Sequence, residues 1–284
     1  MGIFLEYVAR GLMLGAIYGL LALPMNLLFV TVGTMDFAVG SYALIAAVIG
    51  ATLGGVTGIV AGIAGAVACS AIMAAIFVLI SRKAPGELLS VALASFGLAI
   101  AIGSLVLRFC GTATFALQAF DDSWVIGSLR VNPQSAINTA AAGIVLLALL
   151  ATLYGTDIGR TMRATALNPR GAELAGIPVL AIQSSMFLSG GLLAGATGIL
   201  VLYTSGLDFT SGLHLSLSGL AAAIIFGVTS PLRGLLGGMA LGVAEALSAG
   251  YLSGMFTSMI PHVVVLATLA SGAIGKPTFA GDRP

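Results

Sequence analysis

The chain has 284 residues, 59% of them apolar and only 7% charged, with a formal net charge of +1. An ordinary soluble domain carries roughly 25% charged residues, so this composition excludes a soluble enzyme, a disordered chain and a nucleic-acid binder. Two cysteines exclude a disulfide scaffold. The apolar runs are long and unbroken, which predicts an all-α polytopic membrane protein and not a β-barrel of short alternating segments.

At about 20 residues per crossing, nine transmembrane helices are predicted, near 8–32, 37–54, 57–80, 87–109, 136–156, 181–203, 213–229, 233–251 and 258–275. The first apolar stretch, Gly11 to Val32, outruns the ~7–15 residues of a signal-peptide core and reads as a span. Pro24 inside it removes a backbone hydrogen bond and predicts a kink. The polar connection 110–135 carries Asp121, Asp122, Trp124, Arg130 and Pro133. The other substantial connection is 157–180.

Basic residues set the orientation. Arg82, Lys83, Arg160, Arg163, Arg170, Arg233, Lys276 and Arg283 are eight of the eleven, and all fall on alternate connections. That side is cytoplasmic, so 157–180 faces in, 110–135 faces out, and the N-terminus faces out. Arg10 is the misfit.

Asp36-Phe37-Ala38-Val39-Gly40 recurs as Asp208-Phe209-Thr210-Ser211-Gly212, with an offset of 172 at the three identities. Five crossings separate the copies, so they lie at opposite faces. Such an inverted-topology repeat, with halves 8–109 and 181–275, favours a transporter. Chance identity in a Gly-rich chain is the competing explanation. Each Asp is also readable as a cap on the helix that follows. Pathway candidates are therefore Asp36, Phe37, Gly40, Asp208, Phe209 and Gly212, with Tyr18 turned toward the pathway by the Pro24 kink.

Gly234, Gly238 and Gly242 recur every four residues, as one smooth helix face for close packing. Gly191, Gly195 and Gly198 form a similar stripe, and so do Gly54, Gly58, Gly62 and Gly65. Glu245 falls near the middle of the eighth span, where a charge costs roughly 2.5–3.5 kcal/mol on insertion scales. It is either a pathway residue or a structural hydrogen-bonding group. His214, His262, Cys69 and Cys110 form no ligand cluster in the sequence, so no metal is expected. The Gly275-Lys276-Pro277 stretch lacks both the first Gly and the Ser/Thr of a P-loop. No ATPase and no cofactor is expected in this chain, and the energy comes from a partner or an ion gradient.

In the cytoplasmic connection, Asn168 reads as an N-cap, Pro169 as the first helical residue and Gly176 as the stop. A helix of about two turns is predicted over Pro169–Ala175, preceded by another turn or two over Thr161–Leu167. The result is a capped, basic elbow shaped to be gripped.

The pattern Gly159-Arg160-x-x-Arg163-Ala164, followed by Asn168, Ala172 and Gly176-Ile177, resembles the coupling loop of bacterial ABC importer permeases of the branched-chain amino acid (LivH/LivM) type. Gly15-Ala16-Ile17-Tyr18, Leu21-Ala22, Asp36-Phe37-Ala38-x-Gly40 and Gly237-Gly238…Gly242…Glu245-Ala246-Leu247-Ser248 with Tyr251 extend the resemblance over nearly the whole chain. It implies a multi-pass inner-membrane permease that pairs with a second permease chain, identical or sister. Two ATPase subunits, which carry ATP and Mg²⁺, bind the loop. An extracytoplasmic solute-binding protein delivers a branched-chain amino acid or similar small polar solute, and 110–135 is its candidate landing site. The resemblance places Gly159, Arg160, Arg163, Ala164, Asn168, Ala172 and Gly176 in the ATPase-coupling loop. The chain departs from the family pattern at Asp36 (usually Asn), at Val39 and Ser41 (commonly His and Glu), and at Phe226 and Thr229 (Gly). The alternative is an ion-coupled secondary transporter using Asp36, Asp208 or Glu245.

Overall fold

The computed structural model describes residues 2–84, 86–117, 124–126, 129–131, 133–228, 230–251 and 259–270. Lys276, Arg283, Asp121, Asp122, Thr229 and the end of the predicted ninth span lie outside them.

The helices are α1 (Gly2–Val32), α2 (Val39–Leu53), α3 (Gly55–Lys83), α4 (Leu88–Cys110), α5 (Pro133–Gly155), α6 (Asp157–Leu167), α7 (Pro169–Leu174), α8 (Val179–Leu202), α9 (Ser211–Ile225), α10 (Pro231–Tyr251) and α11 (Ile260–Ala270). Between α4 and α5 a small antiparallel ribbon pairs β1 (Trp124–Ile126) with β2 (Leu129–Val131), Trp124 opposite Val131. The molecule is an all-α polytopic membrane protein.

Among the described residues six helices are long and apolar enough to cross a bilayer: α1, α3, α4, α5, α8 and α10. The predicted second and seventh spans differ from expectation. Both α2 and α9 are apolar helices of 15 residues, about 22 Å at 1.5 Å per residue, against a hydrocarbon core of ~30 Å. A non-helical stretch precedes each and carries the Asp-Phe of the repeated Asp-Phe-x-x-Gly segment, whose Gly is the second residue of the helix. Non-helical backbone at that depth is stable only when protein or water surrounds it, and α2 and α9 are indeed the buried centre of the bundle. The long α1 lies beside them, mostly buried, whereas α3, α4 and α5 keep large apolar faces outward for lipid or partner. Helix α1 runs unbroken through Pro24, so the proline does not divide it.

The two chain halves pack in matching ways. The α1–α10 pair has its counterpart in α8–α3, α1–α9 in α8–α2, α2–α3 in α9–α10, and α2–α4 in α9–α11. The pairs α1–α8 and α2–α9 join corresponding helices. Glycines allow the closest approaches. A Cβ on Gly15 would stand 2.5 Å from the Gly238 carbonyl oxygen, and one on Gly242 would stand 2.3 Å from the Gly15 nitrogen. On α3, Gly62 faces the Ala46 carbonyl of α2, just as Gly237 of α10 faces the Ala222 carbonyl of α9. The stripe at Gly191, Gly195 and Gly198 meets α3 and α2. Gly54 does not belong to the α3 stripe: with φ +67° it makes the turn from α2 into α3.

Loop contacts sort the helix ends into two faces. At one, Thr34 Oγ1 donates to the Leu88 carbonyl (3.3 Å), Asn26 Nδ2 to Ser230 (3.1 Å) and Gln183 Nε2 to Thr31 (3.0 Å). This face holds the ends of α3 and α5, the elbow, and Arg233. At the other, Phe115 and Leu207 exchange two backbone hydrogen bonds of 2.8 Å, and Asn138 Nδ2 donates to Thr204 Oγ1 at 2.6 Å. The basic residues after the third, fifth and seventh predicted spans thus share one face, which is the cytoplasmic face by the positive-inside rule.

Candidate functional site

Three places gather the residues singled out in the sequence. The first is the crossing of α2 and α9. Asp36 is 3% exposed; its carboxylate accepts from the Ala38 N–H (2.8 Å) and from the Tyr42 hydroxyl (3.0 Å), so it caps the entry to α2. The Phe37 N–H donates to Ser95 Oγ at 3.0 Å, and its ring meets Phe96 edge-on at 6.2 Å. Gly40 rests against the backbone of α9: a Cβ there would lie 2.2 Å from the Gly212 carbonyl oxygen. Its N–H donates to Ser216 Oγ at 2.9 Å, and Gly212 in turn faces Ser41. The two repeat glycines therefore meet each other across the centre of the bundle.

Asp208 has the same capping role in the second copy. Its Oδ1 accepts from the N–H and hydroxyl groups of both Thr210 and Ser211 at 2.7–3.0 Å. Asp36 and Asp208 are not brought together, and Phe209 packs only part-buried against the core.

The second place is the α1–α10 seam. Glu245 is buried, and its carboxyl and the Ser218 hydroxyl of α9 both lie at the Tyr18 hydroxyl of α1. Tyr18 thus reaches a buried polar contact between helices. Among the described residues, Glu245 Oε2 and Ser248 Oγ have no hydrogen-bond partner. Ser218 was not singled out from the sequence, because a serine in an apolar helix carries no periodic signal, and Ser248 entered only as part of the family resemblance. Gly11, Gly15 and Gly19, the partner face of the α10 stripe, recur every four residues just as Gly234, Gly238 and Gly242 do, and that spacing is the signal that could have found them.

The third place is the elbow. Thr156 Oγ1 caps α6 by accepting from the Gly159 N–H at 3.1 Å, and Asn168 Oδ1 caps α7 by accepting from Gly171 at 3.0 Å. Pro169 starts α7, and Gly176 ends it at φ +82°, with the Ile177 N–H returning to the Ala172 carbonyl at 3.0 Å. Helix α6 is longer than predicted, running three turns from Asp157.

The Gly-Arg-x-x-Arg pattern now has a physical cause. Gly159 and Arg163 lie one turn apart on the face of α6 that meets the end of α5. A Cβ on Gly159 would stand 2.2 Å from the Leu153 carbonyl oxygen, and the Arg163 guanidinium donates to that same oxygen. The guanidinium also covers the Tyr154 ring at 5.0 Å. A cation on the last carbonyls of α5 is favoured by the helix dipole. Arg163 is therefore a strut within the chain. Ala164 is part-buried and Ala172 is buried. The outward face consists of Arg160, paired with Asp157, together with Leu167, Arg170, Glu173 and Leu174; Leu174 is 90% exposed.

His214 and His262, separate in sequence, are brought within 6.4 Å ring to ring by α9 and α11. Among the described residues, no three of His, Cys, Asp and Glu are placed to hold a metal.

The model of the family described as branched-chain amino acid transport system / permease component matches residues 7–274. The chain belongs to this family. It is 28% identical to the high-affinity branched-chain amino acid transport system permease protein LivH of Salmonella typhimurium, over 96% of each chain. Identity to LivH of Escherichia coli K12 is 26%, again over 96% of each. A probable LivH of Methanocaldococcus jannaschii is 27% identical over 90% of this chain and 87% of its own. The protein is thus a permease component of a transport system, not an enzyme, and a multi-pass protein of the inner membrane.

Proposed function

We propose that the permease is the membrane subunit of an ATP-driven importer for branched-chain amino acids or a similar small polar solute. It works with a second permease chain, two ATPase subunits and an extracytoplasmic binding protein. ATP and Mg²⁺ are held by the ATPase subunits, and this chain binds no cofactor. The single observation that carries this reading is the elbow α6–α7: capped at both helix starts, braced on α5 by Gly159 and Arg163, and presenting charged and apolar side chains outward. A solvated loop needs neither the brace nor exposed leucines. ATPase closure would push the elbow as a rigid piece, and the brace would pass that push to α5 and α1. The two halves, 8–109 and 181–275, would then rock about the α2–α9 crossing, and 110–135 would receive the binding protein.

The second reading is an ion-coupled transporter using Asp36, Asp208 or Glu245. The caps speak against the two aspartates, whose carboxylates are already engaged, and substitution of Glu245 tests the third.

The test is co-purification of the tagged chain from native membranes in mild detergent. An ATPase in the eluate is expected, and it should be lost in Arg170→Glu and Leu174→Asp, which change only the outward face. Arg163→Glu is less informative, because it breaks the brace itself. A chain that purifies alone and transports in liposomes without ATP would refute the importer.

A further inference from the structure

Between the elbow and the bundle lies a cavity of ≈ 230 Å³. Leu27 and Val30 of α1, Met162 and Arg163 of α6, and Met186 of α8 line it. At ~30 Å³ of liquid volume per water this space holds roughly eight waters. It is smaller than the roughly 300–1,000 Å³ of pockets for drug-sized ligands, so its occupant is a small solute. The lining is aliphatic apart from Asn26, Thr31, Tyr154 and the guanidinium. Thr31 is already bonded to the Leu27 carbonyl. Arg163 spends one N–H on Leu153, and its planar fork has five, which leaves donors for a carboxylate in the geometry guanidinium prefers. Asn26, buried on the α1 wall, uses Nδ2 on Ser230, while its Oδ1 has no partner.

We propose that this cavity binds a short aliphatic carboxylate from the cytoplasmic side, its carboxylate on Arg163 and its aliphatic body on Leu27, Val30 and Met186. An α-amino acid with a branched side chain belongs to this class. A bound carboxylate stands between α6 and α1. Resting on the importer reading, it wedges the elbow and slows the stroke, so that accumulated product restrains further uptake.

Binding is tested on the purified full chain in nanodiscs of fatty-acid-free phospholipid, titrated calorimetrically with isovalerate, leucine and leucinamide. Isovalerate and leucine should bind, and leucinamide, which lacks the carboxylate, at least tenfold more weakly. Ala166→Phe places a ring in the cavity and should weaken both carboxylates at least tenfold. Met162→Phe is the second filling variant if the first does not fold. Equal binding of leucinamide, unchanged affinity in a folded filling variant, or binding of oleate alone would each overturn the proposal. In proteoliposomes with the partner subunits, isovalerate loaded on the elbow side should reduce the uptake rate severalfold, and this reduction should vanish in the filling variant when each is compared with its own unloaded rate. Active uptake that ignores internal isovalerate overturns the wedge. Absence of any ATP-driven uptake overturns the importer reading and leaves the binding result standing.

Discussion

Gly40→Ala is the sharpest perturbation of the bundle's centre. The added methyl would lie 2.2 Å from the Gly212 carbonyl oxygen and 2.5 Å from the Ser216 nitrogen, where ordinary contact begins near 3.4 Å. Both clashing atoms are backbone, so relief requires α2 and α9 to part by about 1 Å. Overpacking of this kind costs about 1–3 kcal/mol. Parting also weakens the 2.9 Å bond from Gly40 N–H to Ser216 Oγ, worth about 0.5–1.5 kcal/mol. Alanine returns roughly 0.5–1 kcal/mol as a better helix former. The net loss is about 2 kcal/mol, or roughly 4–8 °C in melting temperature for a chain of this size. The assay is thermal unfolding of detergent-purified protein followed by size-exclusion. Gly97→Ala and Gly143→Ala are the controls, because a Cβ at either meets nothing within 4 Å; they should match or slightly exceed wild type. A Gly40→Ala protein that melts with these controls would refute the close crossing of α2 and α9.

Asp36→Asn keeps an acceptor for Ala38 N–H and should lose under about 1 kcal/mol, whereas Asp36→Ala strands the buried Tyr42 hydroxyl at about 1–3 kcal/mol; paired melting curves check the order. Asn168→Ala removes the cap of α7, worth about 0.5–2 kcal/mol, and hydrogen exchange over 169–175 should rise while α5 stays protected. Glu245→Gln retains the contact with Tyr18 and should leave uptake within about twofold, since a hydrogen-bonding role needs no charge. Loss of uptake in a folded Glu245→Gln protein would instead point to a titrating carboxyl. Glu245→Leu leaves Tyr18 buried without its partner and should destabilise by about 1–3 kcal/mol.

Local chemistry was legible in the sequence wherever neighbours along the chain decide the outcome. Asn168, Pro169 and Gly176 bound α7 because caps act over three or four residues. The Asp-Phe-x-x-Gly repeat marked both helix entries for the same reason. The stripe at Gly238 and Gly242 announced a close-packed face, since helical period alone puts those residues in one row. It could not say that the opposing row is Gly11, Gly15 and Gly19 of the first helix.

What only the tertiary structure decided is who meets whom. Arg163 reads as an exposed cation in a basic loop, and it becomes a brace because α6 folds back onto Leu153. Apolar composition made α2 and α9 look like full spans; their 15-residue lengths follow from the broken entries that the bundle buries. Composition and period determined that this chain enters a membrane as helices, because hydrocarbon leaves the backbone few other ways to satisfy its hydrogen bonds. The pairing of those helices was left open, because lipid solvates every apolar face about equally well and only shape, glycine by glycine, selects the partner.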